Sequence, residues 1–367
     1  MNTAGSSSLY RTMIFPDRGR ALACCLFAIL ASPVRSDQVV TARSNHVGAK
    51  VFGFDQGRLQ FRIADGRMLT QWVDEIDLVA VDRGGVFDDF NLAERFLQAG
   101  EFDKAAVRYE RSMRLTDEFW PELAAARLVM AYDRIGRLDK ATMNFIGVVR
   151  GRFTGPPTAA RLILQAIPAK RDSKYARAIE QLDAVLDQNP DDAARVLFEV
   201  MRYEILQGNG DERAARAAPT VAALTIPESV RSERVYAGVL SALQETLQAG
   251  PNSARLADLD RAIRDCPDAS LPSFLLLKGE FLLRTALVRE DIIRASWPFL
   301  RVVVHAPDDP RAADGLLGSA SALERLGRSD QAVALVEECL AHKRVDDRTR
   351  ERARTMLARL RSANATP

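Results

Sequence analysis

Two spacings of apolar residues divide the chain. Between residues 37 and 82, Leu59, Phe61 and Ile63 alternate with Gln60 and Arg62, the period of a half-buried strand. Segments 39–42, 49–54, 68–72 and 78–81 share this short, β-rich character. Asp55-Gln56-Gly57 and Asp65-Gly66 fall between segments, where glycine supplies the positive φ of a tight hairpin. The pattern predicts five strands closing into a small barrel.

From Val86 onward the spacing is helical and repeats. Leu92, Phe96, Gly100, Phe102, Ala105 and Tyr109 recur 36 residues later as Leu128, Tyr132, Gly136, Leu138, Ala141 and Phe145. Leu323, Gly327, Ala332 and Val336 keep the later part of the set, with Ser319 a weaker first position. Each glycine can reverse the chain between two helices. Each alanine lets those helices approach, and Tyr109 and Phe145 fill the space to the next unit. A second period agrees: Pro121, Pro156, Pro190, Pro227, Pro267 and Pro307 are spaced by 35, 34, 37, 40 and 40 residues, as if each stops a second helix. The middle units are degenerate: Tyr175, Ala178, Leu182 and Pro190 fit without the preceding glycine, Pro219 falls inside a second helix, and Pro298 should kink another.

These sets resemble the tetratricopeptide repeat (TPR). The resemblance implies a mostly α fold, an α-solenoid of about seven TPR-like helix hairpins over residues 86–343, preceded by the five-stranded β-barrel at 37–82. The barrel's element order resembles Sm-like small barrels, many of which bind RNA. Residues 345–364, rich in arginine with Met356, Leu357 and Leu360 at helical spacing, read as a capping helix that covers the last apolar face, with 363–367 frayed.

The first 36 residues have the layout of an export signal. Three arginines lie within residues 1–20, an apolar run follows at 21–32, Pro33 breaks it, and Val34 and Ser36 suit a cleavage site. The run is shorter than the ~20 residues of a membrane span, so the mature chain is expected not to span a membrane. An uncleaved anchor is the alternative. Cys24 follows Leu22-Ala23 as in a lipobox, but apolar residues continue after it, which argues against lipidation. Cys266 and Cys339 then remain, far apart along any helical array, and read as small buried side chains.

Charge narrows the partner. The formal net charge is +2, of which the leader contributes +3 (Arg11, Arg18, Arg20 and Arg35 against Asp17), leaving −1. A neutral mature chain lacks the field that nucleic-acid binding uses, so no nucleic-acid partner is expected. His46, His305 and His342 are scattered, and no metal set, phosphate loop or nucleophile elbow is present in the sequence. The reading therefore contains no catalytic residue, metal or cofactor. The acidic pairs at 88–89, 191–192, 308–309 and 346–347 stand at helix starts or turns, where carboxylates cap free N–H groups.

The first helix of each unit lines the concave face in TPR proteins. The resemblance places Glu94, Gln98, Met130, Asp133, Arg134, Glu324 and Arg325 there, as a groove for an extended segment of a protein partner. Some TPR domains clamp a peptide carboxylate with Lys and Asn; Phe90 and Glu94 stand at those positions and argue against that mode. The leading expectation is a non-enzymatic scaffold in the periplasm or cell envelope. Alternatives are a ligand-binding or enzymatic role for the β module, and cell-wall carbohydrate binding. Trp72, Trp120 and Trp297 could stack on sugars, but Trp120 and Trp297 are placed as core residues. Signal, barrel and array together resemble exported planctomycete proteins, which implies compartment and architecture but names no partner.

Overall fold

The computed structural model of the chain describes residues 36–115, 119–151, 155–164, 174–250 and 253–364. The expected signal, with Cys24, Cys25 and Pro33, lies outside the described residues.

Five strands form: β1 (Asp37–Thr41), β2 (Asn45–Asp55), β3 (Arg58–Arg62), β4 (Met68–Trp72) and β5 (Ile76–Ala80). Leu59 and Phe61 point into the core while Arg58 and Arg62 stay exposed, as the alternation requires. The β2–β3 reversal holds Gln56 at φ 48° and Gly57 at φ 80°, the left-handed pair that matches strand twist.

The order is β4-β3-β2-β1-β5, with each pairing antiparallel. Here the expected barrel needs correction: β4 and β5 are the two ends of an open sheet. The edge of β5 is occupied by side chains of the first helix. Glu94 accepts a hydrogen bond from the Val79 N–H at 2.7 Å, and Asn91 both accepts from the Val81 N–H and donates to its carbonyl, each at 2.8 Å. Backbone groups that a closing strand would satisfy already have partners.

Among the described residues fifteen helices follow. They are α1 (Asp88–Gln98), α2 (Phe102–Ser112), α3 (Trp120–Ile135), α4 (Leu138–Val149), α5 (Pro156–Leu162), α6 (Tyr175–Leu186), α7 (Asp192–Asn209) and α8 (Arg213–Ala222). Then come α9 (Glu233–Gln248), α10 (Ser253–Asp265), α11 (Leu271–Thr285), α12 (Arg289–His305), α13 (Ala312–Arg325), α14 (Ser329–Ala341) and α15 (Asp347–Asn364). In sequence order they make seven pairs and a final helix. The third is a pair in sequence order only: α5, with 7 residues, packs on α3, α4 and α7, while α6 packs on α4 and α7.

Local chemistry sets the junctions. Gly136 ends α3 in the left-handed conformation, and Arg137 N–H reaches back to the Tyr132 carbonyl, a glycine stop for the helix. Gly100 and Gly327 take the same conformation at equivalent places. Ala105, Ala141 and Ala332, with Tyr109 and Phe145, are fully buried. The six periodic prolines all fall at or near pair boundaries, but two act differently from expectation. Pro121 and Pro156 open α3 and α5 instead of closing the helix before, since the first turn does not need their missing N–H.

One apolar core runs from Val39 in the sheet to Phe281 in α11. Ala313, Leu316, Val336, Met356 and Leu360 form a separate C-terminal core, so α15 does cover the last pair. The sheet packs on α1 and α3, and the 3-10 turn Val73–Glu75 packs on α3 and α5. These are the first helices of the first three pairs.

Candidate partner-binding face

The β module sits on the surface that the repeat resemblance assigns to a partner. Glu94 is the clearest consequence. Its side chain is fully buried rather than facing a groove. Besides Val79, its carboxylate accepts from the Tyr109 hydroxyl at 2.7 Å and lies 3.0 Å from Arg127 Nε. Arg127, also buried, donates to the Ile76 carbonyl at 2.9 Å and to Val73 at 3.3 Å. Strand, turn and three helices therefore meet at one acid–base pair. Burial, reinforced by the Glu94 charge and opposed by Arg127, pushes the Tyr109 hydroxyl far above its ordinary pKa; it serves as a neutral donor.

The other groove residues do not converge. Met130 is half-buried, its sulfur 3.9 Å from Arg127 Nη1. Gln98 and Asp133 are half-buried, and Arg134 is exposed. At the far end, Glu324 is held by Arg359 at 3.0 and 2.7 Å. Arg325 turns back to the Leu283 and Ala286 carbonyls, where a cation satisfies the end of α11.

A second tie fixes the module laterally. Trp72 lies between two guanidinium groups, Arg58 at 4.0 Å and Arg161 at 4.5 Å from the ring centre. Arg161 also grips Asp74 in two-pronged fashion at 2.9–3.2 Å. This tryptophan is spoken for by cation–π packing. Trp120 is fully buried as expected. Trp297 is not: it is 61% exposed, because Ile292, Ala295, Phe299 and Val302 already supply the inward face of α12.

Further along, the chain fills more of its own inner surface. Arg234 donates both terminal nitrogens to Glu204, at 2.7 and 2.8 Å, and its Nε to the Ile163 carbonyl at 3.2 Å. Burial raises the Glu204 carboxyl's pKa, and Arg234 opposes that rise. A polar, accessible set lies at the C-terminal end, on α11 and α15 beside α13. Glu280, Arg284, Arg352 and Arg359 are exposed there. Arg352 reaches Asp314 at 3.1 Å, and Thr349 donates to the same carboxylate at 3.0 Å.

Sequence reasoning missed Arg127, Arg234 and Arg161. One signal was present: Arg127 interrupts an otherwise apolar helical stretch, Leu123 to Ala131, and a charge there needs a buried partner. The acidic pairs behave largely as capping groups. Asp191 accepts from Ala194 N–H and Asp346 from Thr349 N–H, while Asp89 instead pairs with Arg108 at 2.6 Å. Cys266 and Cys339 are free thiols, the first half-buried and the second buried. Among the described residues no cluster could hold a metal, and no helix is long and apolar enough to cross a membrane.

The described residues thus form a succession of helices, most of them packed as antiparallel neighbours, with an open β-sheet lying over the first ones. No family model and no curated protein matches the chain. Among solved structures it is similar to the TPR domain of P58(IPK), with 14% identity over 77% of this chain and 99% of that one, at a TM-score of 0.26. The array assignment rests on the helix pairs themselves, not on this slight likeness.

Proposed function

We propose that the protein is a non-enzymatic scaffold of the cell envelope, exported by its N-terminal segment, that holds an extended segment of a protein partner. The binding face is the C-terminal half of the inner surface, along α11, α13 and α15. The supporting observation is the contrast between the two ends. The first helices of the early pairs are covered by the sheet and by Glu94–Arg127, whereas Glu280, Arg284, Arg352 and Arg359 remain exposed. Stacked helix pairs offer extended surfaces of this kind. In this reading the β module is a cap and a partner excluder.

A photo-crosslinking residue at Arg352, compared with one at Arg216 on α8, tests the face. One defined adduct in native cells from position 352 and none from 216 is the expected result; adducts from neither, or equally from both, would reject it. Export is tested by the N-terminus of the purified protein. It should begin at Asp37, and a full-length chain confined to the cytosol would refute the compartment.

A further inference from the structure

Helix α12 is apolar on two sides. Ile292, Ala295, Phe299 and Val302 are buried, and the helix packs on α11 and α13. On the other side Ile293, Trp297, Leu300 and Val304 are 40%, 61%, 42% and 71% exposed. Their spacing of four, three and four residues is the seam of two packed helices. Single apolar residues on a surface need no explanation, but a contiguous line of four does. The helix has 17 residues, about 25 Å of length at the usual rise.

The charges beside the seam have a sense. Arg294 and Arg301, both exposed and seven residues apart, border one side, and neither has an acidic partner among the described residues. Glu290 stands one turn before Arg294 on that side, and Arg289 and Ser296 border the other.

We propose that this seam docks an amphipathic helix of another protein, one whose flank carries carboxylates opposite Arg294 and Arg301. A second copy of the chain fits poorly. In an antiparallel pair the two arginines would face their own counterparts, and in a parallel pair they would face Arg289 and Ser296. Glu290 is the one carboxylate on these flanks, so neither arrangement gives both arginines an acidic partner, and like charges across a helix seam repel. A lipid surface would use a broad apolar face, whereas this one is a single line of side chains. The seam lies on the side of α12 turned away from its neighbours, so it is distinct from the face proposed for the extended segment.

The test uses the full chain and two labelled synthetic helices with leucine at the seam positions, one flanked by glutamate and one by lysine. Fluorescence anisotropy should report binding of the glutamate helix and little of the lysine helix. Trp297→Arg should weaken binding about tenfold or more, as loss of a central aromatic anchor does. The double variant Arg294→Glu, Arg301→Glu should reverse the preference. Val304→Arg, at a 71% exposed position, is the second probe should the Trp297 variant lose its helical signal on heating early. Equal binding of both helices, or binding indifferent to Trp297→Arg and Val304→Arg, would overturn the proposal. So would retention on phosphatidylserine-containing vesicles that depends on Trp297, or a dimer in sedimentation that Trp297→Arg dissolves.

Discussion

The ring of Phe299 lies directly on Gly318, so that a methyl group added to the glycine would overlap the ring carbons. Gly279, on the helix at the other side, leaves the same kind of space: its added Cβ would come within 2.7 Å of the ring. Phe299 is thus gripped between α11 and α13 at two positions where only hydrogen fits.

Gly318→Ala should therefore destabilise the protein by about 1–3 kcal/mol through overpacking, although alanine is the better helix former. Gly147, inside α4, has nothing within 4 Å of an added Cβ. Gly147→Ala should instead stabilise by about 0.5–1 kcal/mol. Urea unfolding of both variants measures the difference, and a stabilised Gly318→Ala would contradict the packing described.

Removing Arg127 leaves Glu94 buried without its cation. Arg127→Met should cost about 3–5 kcal/mol, the usual loss when one partner of a buried pair is deleted. Glu94→Gln combined with Arg127→Met should cost clearly less than the two single changes added together. Additive losses in a double-mutant cycle would mean that the pair is not coupled.

The sheet and the first pairs share one core, so the β module is not a detachable domain. A chain lacking residues 37–82 would expose Glu94, Arg127 and the apolar faces of α1 and α3. Hydrogen exchange should then show lost protection through α1–α5, while α13–α15, which have a separate core, keep theirs. Unchanged protection in α1–α5 would show that the cap is dispensable.

Burial holds the Cys266 and Cys339 thiols at about 11 and the Tyr236 hydroxyl at about 12, above their ordinary values of 9.0 and 10.0. In each case the folded state keeps the proton longer than the unfolded state. Their contribution is fully present below pH 9.0 and declines as pH rises toward 11 and 12, because the unfolded chain ionises first. The melting temperature should fall steadily through that window. Both thiols should also resist alkylation at neutral pH until the chain unfolds. Rapid labelling of Cys339 in the folded protein would contradict this.

Much of the local structure was legible in the sequence. Strand alternation around Phe61, the left-handed glycine after Ile135 and the repeated Ala105–Ala141–Ala332 positions depend on residues close in the chain. Steric preference and periodicity are enough to read them. Glu94 could not be read this way. Its spacing on α1 is that of an inner-face residue in a repeat, and the strand that buries it comes from a different part of the chain. Trp297 failed in the opposite direction: α12 has apolar residues on two faces, and periodicity cannot say which face finds a neighbour.

The sequence alone determined which stretches form strands and which form helices, and that helices reverse at Gly100, Gly136 and Gly327, because those outcomes follow from short-range sterics and from the period of apolar residues. The tertiary structure alone decided that the sheet stays open and lies over the first helices, that Glu94 meets Arg127 beneath it, and that one side of α12 is left bare. Each of these depends on contacts between segments distant in the chain, where burial, charge pairing and backbone satisfaction are settled together.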